Sequence, residues 1–599
     1  MSPHATSRTS EPPTDFVFGE VAFLSEYCDH WEHANADGVC ITFIDYLASR
    51  EGVRDEVTFA EMAVWTRALA ARIAERIQPG DRVAIMAPQR TEYVAGFTAA
   101  LRTNAVGVPL FAPDLPGQAD RLAAVTADCL PAVVLTTSDK RQLVEDFLAA
   151  QNLADPPEVL EIDAFRTGHE ELAASYHAPD DRSLDDIAYL QYTSGSTRTP
   201  AGVALSHRNL TINCFQLRDA SGLNFGGATL VSWLPLFHDM GLLIGCAVPV
   251  LGGVHGIMLD PVAFILKPLR WLQAMNGERN VVTAAPNFAF DYVAKRVKPE
   301  QRAELDLSGV TSWVNGAEPI LPATLERFNA AFAECGVPSN ALRPSYGLAE
   351  ATVFVATTPL GEDPTILLVD STELQRGVVS TEVPEGVTPI QLVSCGKPVG
   401  QDVAITDPET REQLEEGLVG EVWVNGENVG QGYWGKDDET RALFHARLEN
   451  PGQLPATGWL RTEDLGTIID GRLYITGRIK DLIIIDGRNI YPHDIEFTVE
   501  EAHEGIAQRR LASFSAPTEH GEALVVVAER YRHSADAGSR LEEIASAARE
   551  AVSLDHSVAL HDFVLVEPDT ISRTSSGKIA RKATRTAYLA GTLSRTPTS

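Results

Sequence analysis

The chain has 599 residues, 44% hydrophobic and 22% charged, an ordinary globular composition with material for roughly four domains or subdomains. Its 82 acidic residues against 49 basic ones leave a net charge of −33, a field that repels phosphates and excludes a general binder of nucleic acids or anionic membranes. Any anionic ligand must therefore meet a local cationic site.

The seven cysteines, Cys28, Cys40, Cys129, Cys214, Cys246, Cys335 and Cys395, are odd in number and show no CxxC spacing. That argues against a disulfide framework or a zinc site and for buried, reduced thiols in a cytoplasmic protein. The first 16 residues are polar, without the apolar stretch of a signal peptide. Thr58-Phe-Ala-Glu61 has the form of a capping box, and Met62, Trp65, Leu69, Ile73 and Ile77 follow at helical spacing. Short apolar strands are expected at 83–86, 108–111, 132–137 and 187–190, with a second helix from Thr91. Helices alternating with short β-branched strands indicate an α/β architecture of helix-covered parallel sheets. The apolar run 241–254 contains Pro249 and three internal glycines and is too short to span a bilayer, so it is read as buried core. Near residue 480 the pattern changes. A strand-turn-strand is expected across 474–486, then a smaller α+β stretch with a strand at 524–528, then a loose tail.

Several short segments carry the chemistry. Tyr192-Thr-Ser-Gly-Ser-Thr-Arg-Thr-Pro-Ala-Gly-Val203 follows an expected strand and packs hydroxyls and glycine into a loop that can present donors to phosphate oxygens. It lacks the Walker A order, and its serine is not in a GxSxG elbow. Trp233-Leu-Pro-Leu-Phe-His238-Asp239-Met-Gly-Leu242 sets a histidine in an apolar run, ordinarily a satisfied core residue. Ser345-Tyr346-Gly347-Leu-Ala-Glu350 sets a carboxylate after a tight turn, ordinarily a helix-start acid. Asp464 lies in 457–466, Arg478 and Lys480 in 477–481, and Lys578 on the glycine-flanked loop Arg573-Thr-Ser-Ser-Gly-Lys578. Each is weak alone; their occurrence together and in this order is not expected by chance.

In that order the blocks resemble the core motifs of the adenylate-forming superfamily of acyl-CoA synthetases, adenylation domains and luciferases, from about residue 40 to 585. Within it the chain is most similar to the fatty acyl-AMP ligases. Three features carry this: Ala201 stands where typical relatives have lysine, 232–242 and 284–290 have the subfamily's style, and 350–396 is about twenty residues longer than in a CoA ligase. The resemblance implies an α/β fold: a large N-terminal domain, 1–479, of helix-covered sheets with a β-barrel-like subdomain, and a small mobile α+β C-terminal lid, 480–599. A family-specific insertion falls at about 357–392 and is thought to keep the lid from the pose that uses CoA.

The resemblance also implies roles. Thr193, Ser194, Gly195, Ser196 and Thr197 cradle the phosphates of ATP; Gly316, Ala317, Tyr346 and Gly347 line the adenine pocket; Asp464 takes the ribose hydroxyls and Arg478 reaches ribose or phosphate. Glu350, with Thr193, holds Mg2+. His238 sits beside the carboxylate of a long-chain fatty acid, and Lys578 bridges that carboxylate and the α-phosphate. Lys480 is the hinge, and Phe288 and Phe290 are either acyl-pocket or core residues. The acceptor is the phosphopantetheine thiol of an acyl carrier protein or of a polyketide or peptide synthase, for which Arg573, Lys578, Arg581, Lys582 and Arg585 form either a basic docking patch or simply a nucleotide-facing cluster. Nucleic-acid binding and stable membrane insertion are not expected. A CoA ligase, an amino-acid-activating domain using Asp239, and a silent binding module are the rival readings.

Overall fold

The computed structural model describes residues 17–115, 118–193, 201–485, 488–518, 521–532, 540–556, 558–573 and 578–596. The capping box forms as expected: the Thr58 amide donates to Glu61 Oε2 at 2.8 Å, the Glu61 amide donates to Thr58 Oγ1 at 3.2 Å, and the helix Phe59–Ala74 follows. Its buried face holds Met62, Trp65, Leu69 and Ile73 against the helix Thr91–Arg102. These helices cover two large sheets, as the alternating pattern requires.

One sheet has nine strands. From Leu342–Gly347 through Val310–Gly316, Val281–Pro286, Thr229–Ser232 and His255–Leu259 to Val39–Asp45, every neighbouring pair is parallel. Antiparallel strands finish both edges: Val53–Thr58 on one side, Phe354–Thr357 and Lys397–Pro398 on the other. The second sheet has seven strands, with Arg82–Ile85, Val106–Pro109, Val133–Thr136, Glu158–Glu161 and Ile187–Tyr192 parallel and Gly202–Ser206 and Gly432–Tyr433 antiparallel at one edge. The apolar run 241–254 is buried core, and part of it, Leu243–Ala247, is a π-helix with every residue buried. All seven cysteines are free and buried, and no helix of the described residues is long and apolar enough to cross a membrane.

The expected barrel is an open sheet. Asp402–Thr406, Gly420–Asn425, Leu460–Ile469 and Arg472–Arg478 pair antiparallel in that order, and among the described residues no ladder joins the first to the last. The Arg472–Arg478 edge is instead covered by the chain at 394–396: the Leu473 amide donates to Gly396 O at 2.8 Å and the Cys395 amide to Leu473 O at 2.7 Å. An edge whose donors are met this way has no need of closure. The expected strand-turn-strand also differs. Arg472–Arg478 does not pair with the strand after it; Ile479–Asp481 is a single 3-10 turn, and Ile483–Ile485 forms a hairpin with Arg488–Ile490.

Beyond that turn, Ile506–Thr518, Gly521–Arg530 and Leu560–Val566 form a three-stranded sheet covered by Pro492–Ala502 and Leu541–His556. Its core residues run from Ile483 onward, whereas the main core runs from Leu24 to Leu473. A small cluster joins the two parts. Val369 and Leu374, on the strand Ile366–Asp370 and the helix Ser371–Gln375, pack with Leu392 of Pro389–Val393 against Leu465, Tyr474 and Tyr491. Gln375 Nε2 also donates to the backbone carbonyl of His556 at 3.1 Å.

Candidate active site

Four parallel strands deliver the site from their C-terminal ends, the edge at which open parallel sheets leave a crevice between their following loops. Thr229–Ser232 runs on to Trp233 and His238, Val281–Pro286 to Phe288, Val310–Gly316 to Ala317 and Glu318, and Leu342–Gly347 to Glu350. Gly347 is required by space: a Cβ there would lie 1.8 Å from the carbonyl oxygen of Val353. Ala317, Thr352 and Glu463, beside Gly316, Glu350 and Asp464, hold φ of +65°, +66° and +60°. Left-handed backbone is strained for residues with a Cβ, and such strain collects where a site must be preorganised.

Asp464 faces Arg478 across the antiparallel pair of Leu460–Ile469 and Arg472–Arg478. Arg478 Nε lies 2.8 Å from Asp464 Oδ1, and the Tyr346 hydroxyl donates to Oδ2 at 2.7 Å. The carboxylate is thus fixed by two different sheets. Burial, reinforced by Asp464, pushes the Tyr346 phenol well above its ordinary pKa and keeps it a donor. Glu350 accepts from the Tyr433 hydroxyl at 2.7 Å. Burial raises its carboxyl pKa, and the Tyr433 hydrogen bond opposes that shift.

His238 is held by its neighbours in the chain. Gln191 Nε2 donates to the carbonyl of Phe237 at 3.0 Å, and the Leu236 amide donates to Gln89 Oε1 at 3.2 Å. His238 Nδ1 lies 2.5 Å from Asp239 Oδ1, an oxygen that also accepts from the Met240 amide at 2.6 Å. Burial would raise Asp239, yet His238, the Met240 amide and Lys578 together hold it below the usual carboxylate range. Asp239 therefore answers the imidazole and a helix start, which leaves the amino-acid reading without its α-amino ligand.

Lys578 reaches this crevice from the C-terminal part of the chain. Burial and then Arg478 lower its ammonium pKa, while Asp239, Glu318 and Asp464 oppose them. One cation thus interacts with groups of the His238, Gly316 and Asp464 segments together. Lys480, in the turn between the two cores, pairs with Glu463 at 2.7 Å.

Of the expected phosphate loop, Thr193 is described; Ser194, Gly195, Ser196 and Thr197 lie outside the described residues. The Thr193 amide donates to Ala201 O at 3.3 Å, and Arg121 Nη2 donates to the carbonyls of Thr193 and Tyr192 at 3.2 and 3.4 Å. Among the described residues no cluster of three or more His, Cys, Asp or Glu could hold a metal. A carboxylate from Glu350 and a hydroxyl from Thr193 nevertheless suit Mg2+, a hard cation that usually takes its remaining ligands from phosphate and water.

The two phenylalanines separate. Phe290 is core, packed edge-on against Trp271, Trp313 and Phe328. Phe288 is only partly buried, edge-on to Trp233, and its amide donates to Glu318 Oε1 at 2.6 Å. Two members of the expected basic cluster are engaged within the chain. Arg581 is paired with Glu496 at 2.6 Å and Asp481 at 3.1 Å, and Arg585 donates to the carbonyl of Ser515 at 2.7 Å. Sequence reading missed Tyr433, Glu318, Arg121 and Arg509. Only Glu318, directly after Gly316-Ala317, had a neighbouring motif to mark it.

The AMP-binding enzyme family matches residues 30–434, and the Disco-interacting protein 2-like AMP domain matches residues 480–597. The chain belongs to the AMP-binding enzymes and, within them, to the family of the fatty acyl-AMP ligases. It is 39% identical to the long-chain-fatty-acid–AMP ligase FadD32 of Mycolicibacterium smegmatis, covering 96% of each chain. It is 40% identical, over 91% of this chain and 94% of the other, to FadD21 of Mycobacterium tuberculosis, which is named as a fatty-acid–CoA ligase. The fatty acyl-adenylate ligase of Legionella pneumophila in complex with acyl adenylate and pyrophosphate superposes with a TM-score of 0.71 at 31% identity, covering 95% of this chain and 96% of that one.

Proposed function

We propose that the protein uses MgATP to convert a long-chain fatty acid to acyl-AMP and pyrophosphate, then transfers the acyl group to the phosphopantetheine thiol of a carrier protein or synthase domain. The observation that carries this reading is Lys578, brought from the C-terminal part of the chain to the carboxylates and arginine of the crevice. Attack of a carboxylate on the α-phosphorus joins two anions, so the useful catalyst is preorganised positive charge. In this reading the Lys578 ammonium bridges the incoming carboxylate and the α-phosphate, and His238, fixed by Asp239, flanks the carboxylate. Asp464, fixed by Tyr346 and Arg478, accepts the ribose hydroxyls. Gly316, Ala317, Tyr346 and Gly347 border the base, and the loop from Thr193 to Thr197 receives the outer phosphates, with Arg121 at its foot. Glu350 and Thr193 would hold Mg2+, which supplies charge neutralisation at the phosphates.

Residues 480–599 act as a lid that turns about Lys480 between the two half-reactions, and 357–392 is the insertion that restricts it. The packing of Val369 and Leu374 on Tyr491 and the bond from Gln375 to His556 support that assignment, because they tie the insertion to the chain beyond the hinge. Phe288 and Trp233 form part of the acyl pocket. The seven buried thiols suit a reducing cytoplasm. The test is to offer CoA and a phosphopantetheinylated carrier protein separately, with MgATP and a ladder of fatty acids, and to weigh the products. Loaded carrier with negligible acyl-CoA supports the proposal; efficient acyl-CoA formation makes the protein a CoA ligase.

A further inference from the structure

The turn at Gln508 and Arg509 is a second place where the C-terminal part meets the rest of the chain, at the residues that follow the strands Val281–Pro286 and Val310–Gly316. Arg509 holds a φ of +58°. Its amide donates to Glu500 Oε2 at 2.6 Å, and its carbonyl accepts from the Arg573 guanidinium. Its own guanidinium crosses to the other part of the chain, 2.8 Å from Glu318 Oε2 and 5.3 Å from the centre of the Phe288 ring. Lys295 Nζ adds a bond to Gln508 Oε1 at 3.1 Å. Glu318 is the common node, since its Oε1 accepts from the Phe288 amide at 2.6 Å and its charge attracts Lys578. On the lid side, Arg573 is bridged to Ile579, the residue after Lys578. A continuous set of contacts thus runs from Phe288 through Glu318, Arg509 and Arg573 to the segment bearing the lysine.

We propose that Glu318 and Arg509 form a latch that holds the lid with Lys578 in the crevice, and that Arg509 is a positioning residue for adenylation only. A left-handed turn is a costly way to present an ordinary surface arginine, and here it aims the side chain at a carboxylate and a ring outside its own domain. Because Phe288 and Glu318 share a hydrogen bond, filling of the acyl pocket acts on the same latch. Opening of the lid for the second half-reaction breaks the contacts of Arg509 to Glu318 and Phe288 and leaves the turn itself intact.

The inference rests on the adenylation reading, and two variants test it. Arg509→Gly suits the φ at that position, and Glu318→Gln keeps an oxygen for the Phe288 amide, so neither disturbs its own local fold. Losing the ion pair and the ring contact should slow single-turnover formation of dodecanoyl-AMP from dodecanoate and MgATP by about 10-fold. Transfer from synthetic dodecanoyl-AMP to a phosphopantetheinylated carrier protein should keep its wild-type rate. Amide hydrogen exchange in 287–296 and 506–512 should quicken in both variants, with the melting temperature unchanged. Equal losses in both half-reactions, or unchanged adenylation and exchange, would overturn the latch. A wild type that forms no dodecanoyl-AMP would defeat the functional reading instead, and exchange would still decide whether the latch exists.

Discussion

Lys578 sits among opposing charges whose balance decides its protonation. Burial and Arg478 favour the neutral amine, and Asp239, Glu318 and Asp464 favour the ammonium. The net shift is downward from 10.5. A lysine is cationic below its pKa, so a lowered pKa means the charge is lost earlier as pH rises. Adenylation should therefore fall on the alkaline side of its pH profile below the ordinary lysine range, and Lys578→Arg should move that limb upward. A limb that stays in place in the arginine variant would assign it to another group. Lys578→Ala should lower acyl-AMP formation by about 10²-fold or more, by analogy with removal of a preorganised oxyanion donor. Unchanged pyrophosphate release in that variant would remove Lys578 from the reaction. Glu350, Asp464, Arg478 and Lys578 were legible because each stands in a short motif beside a glycine or a turn. Tyr433 and Arg509 were not, because they meet Glu350 and Glu318 from 83 and 191 residues away, and no local spacing encodes those contacts.

At the scale of elements, the helical spacing behind Thr58 and the short β-branched runs were enough to predict helix-covered parallel sheets, since a period of 3.6 or 2 is written in the sequence itself. The closing of a sheet is not. Whether the edge Arg472–Arg478 meets another strand or the chain at 394–396 is a tertiary choice, and for that reason the expected barrel is an open sheet. The end of Leu342–Gly347 is tighter. Gly347→Ala would force a Cβ against the carbonyl of Val353, displacing Tyr346 and Glu350 on either side. A cost of about 1–3 kcal/mol is expected, seen as a lower melting temperature together with a raised KM for ATP. A lower melting temperature with an unaltered KM would separate the turn from the nucleotide site. The insertion proposed at 357–392 makes a different prediction. Leu374 is 1% exposed and packs in the cluster that includes Tyr491, beyond the turn Ile479–Asp481. Leu374→Ala should loosen this contact by about 2–5 kcal/mol and allow acyl-CoA to form when CoA is supplied. Loss of stability without any acyl-CoA would show that this packing does not restrain the lid.

For the whole molecule, the problem is to bind a polyanion on a protein of net charge −33. The solution is local: Arg478, paired with Asp464, and Lys578, in the field of Asp239, Glu318 and Asp464, come from the two sides of the turn Ile479–Asp481. In the proposed reading this arrangement needs residues 480–599 seated as a lid, so adenylation goes with that pose and acyl transfer with a different one. The most direct measurement is to incubate the full chain with MgATP and dodecanoate, with no thiol present, and follow acyl-AMP and pyrophosphate by mass spectrometry. Equal amounts of dodecanoyl-AMP and pyrophosphate, in the wild type and not in Lys578→Ala, are the predicted result. Absence of acyl-AMP with every fatty acid of the ladder, or its undiminished formation without Lys578, would contradict the account.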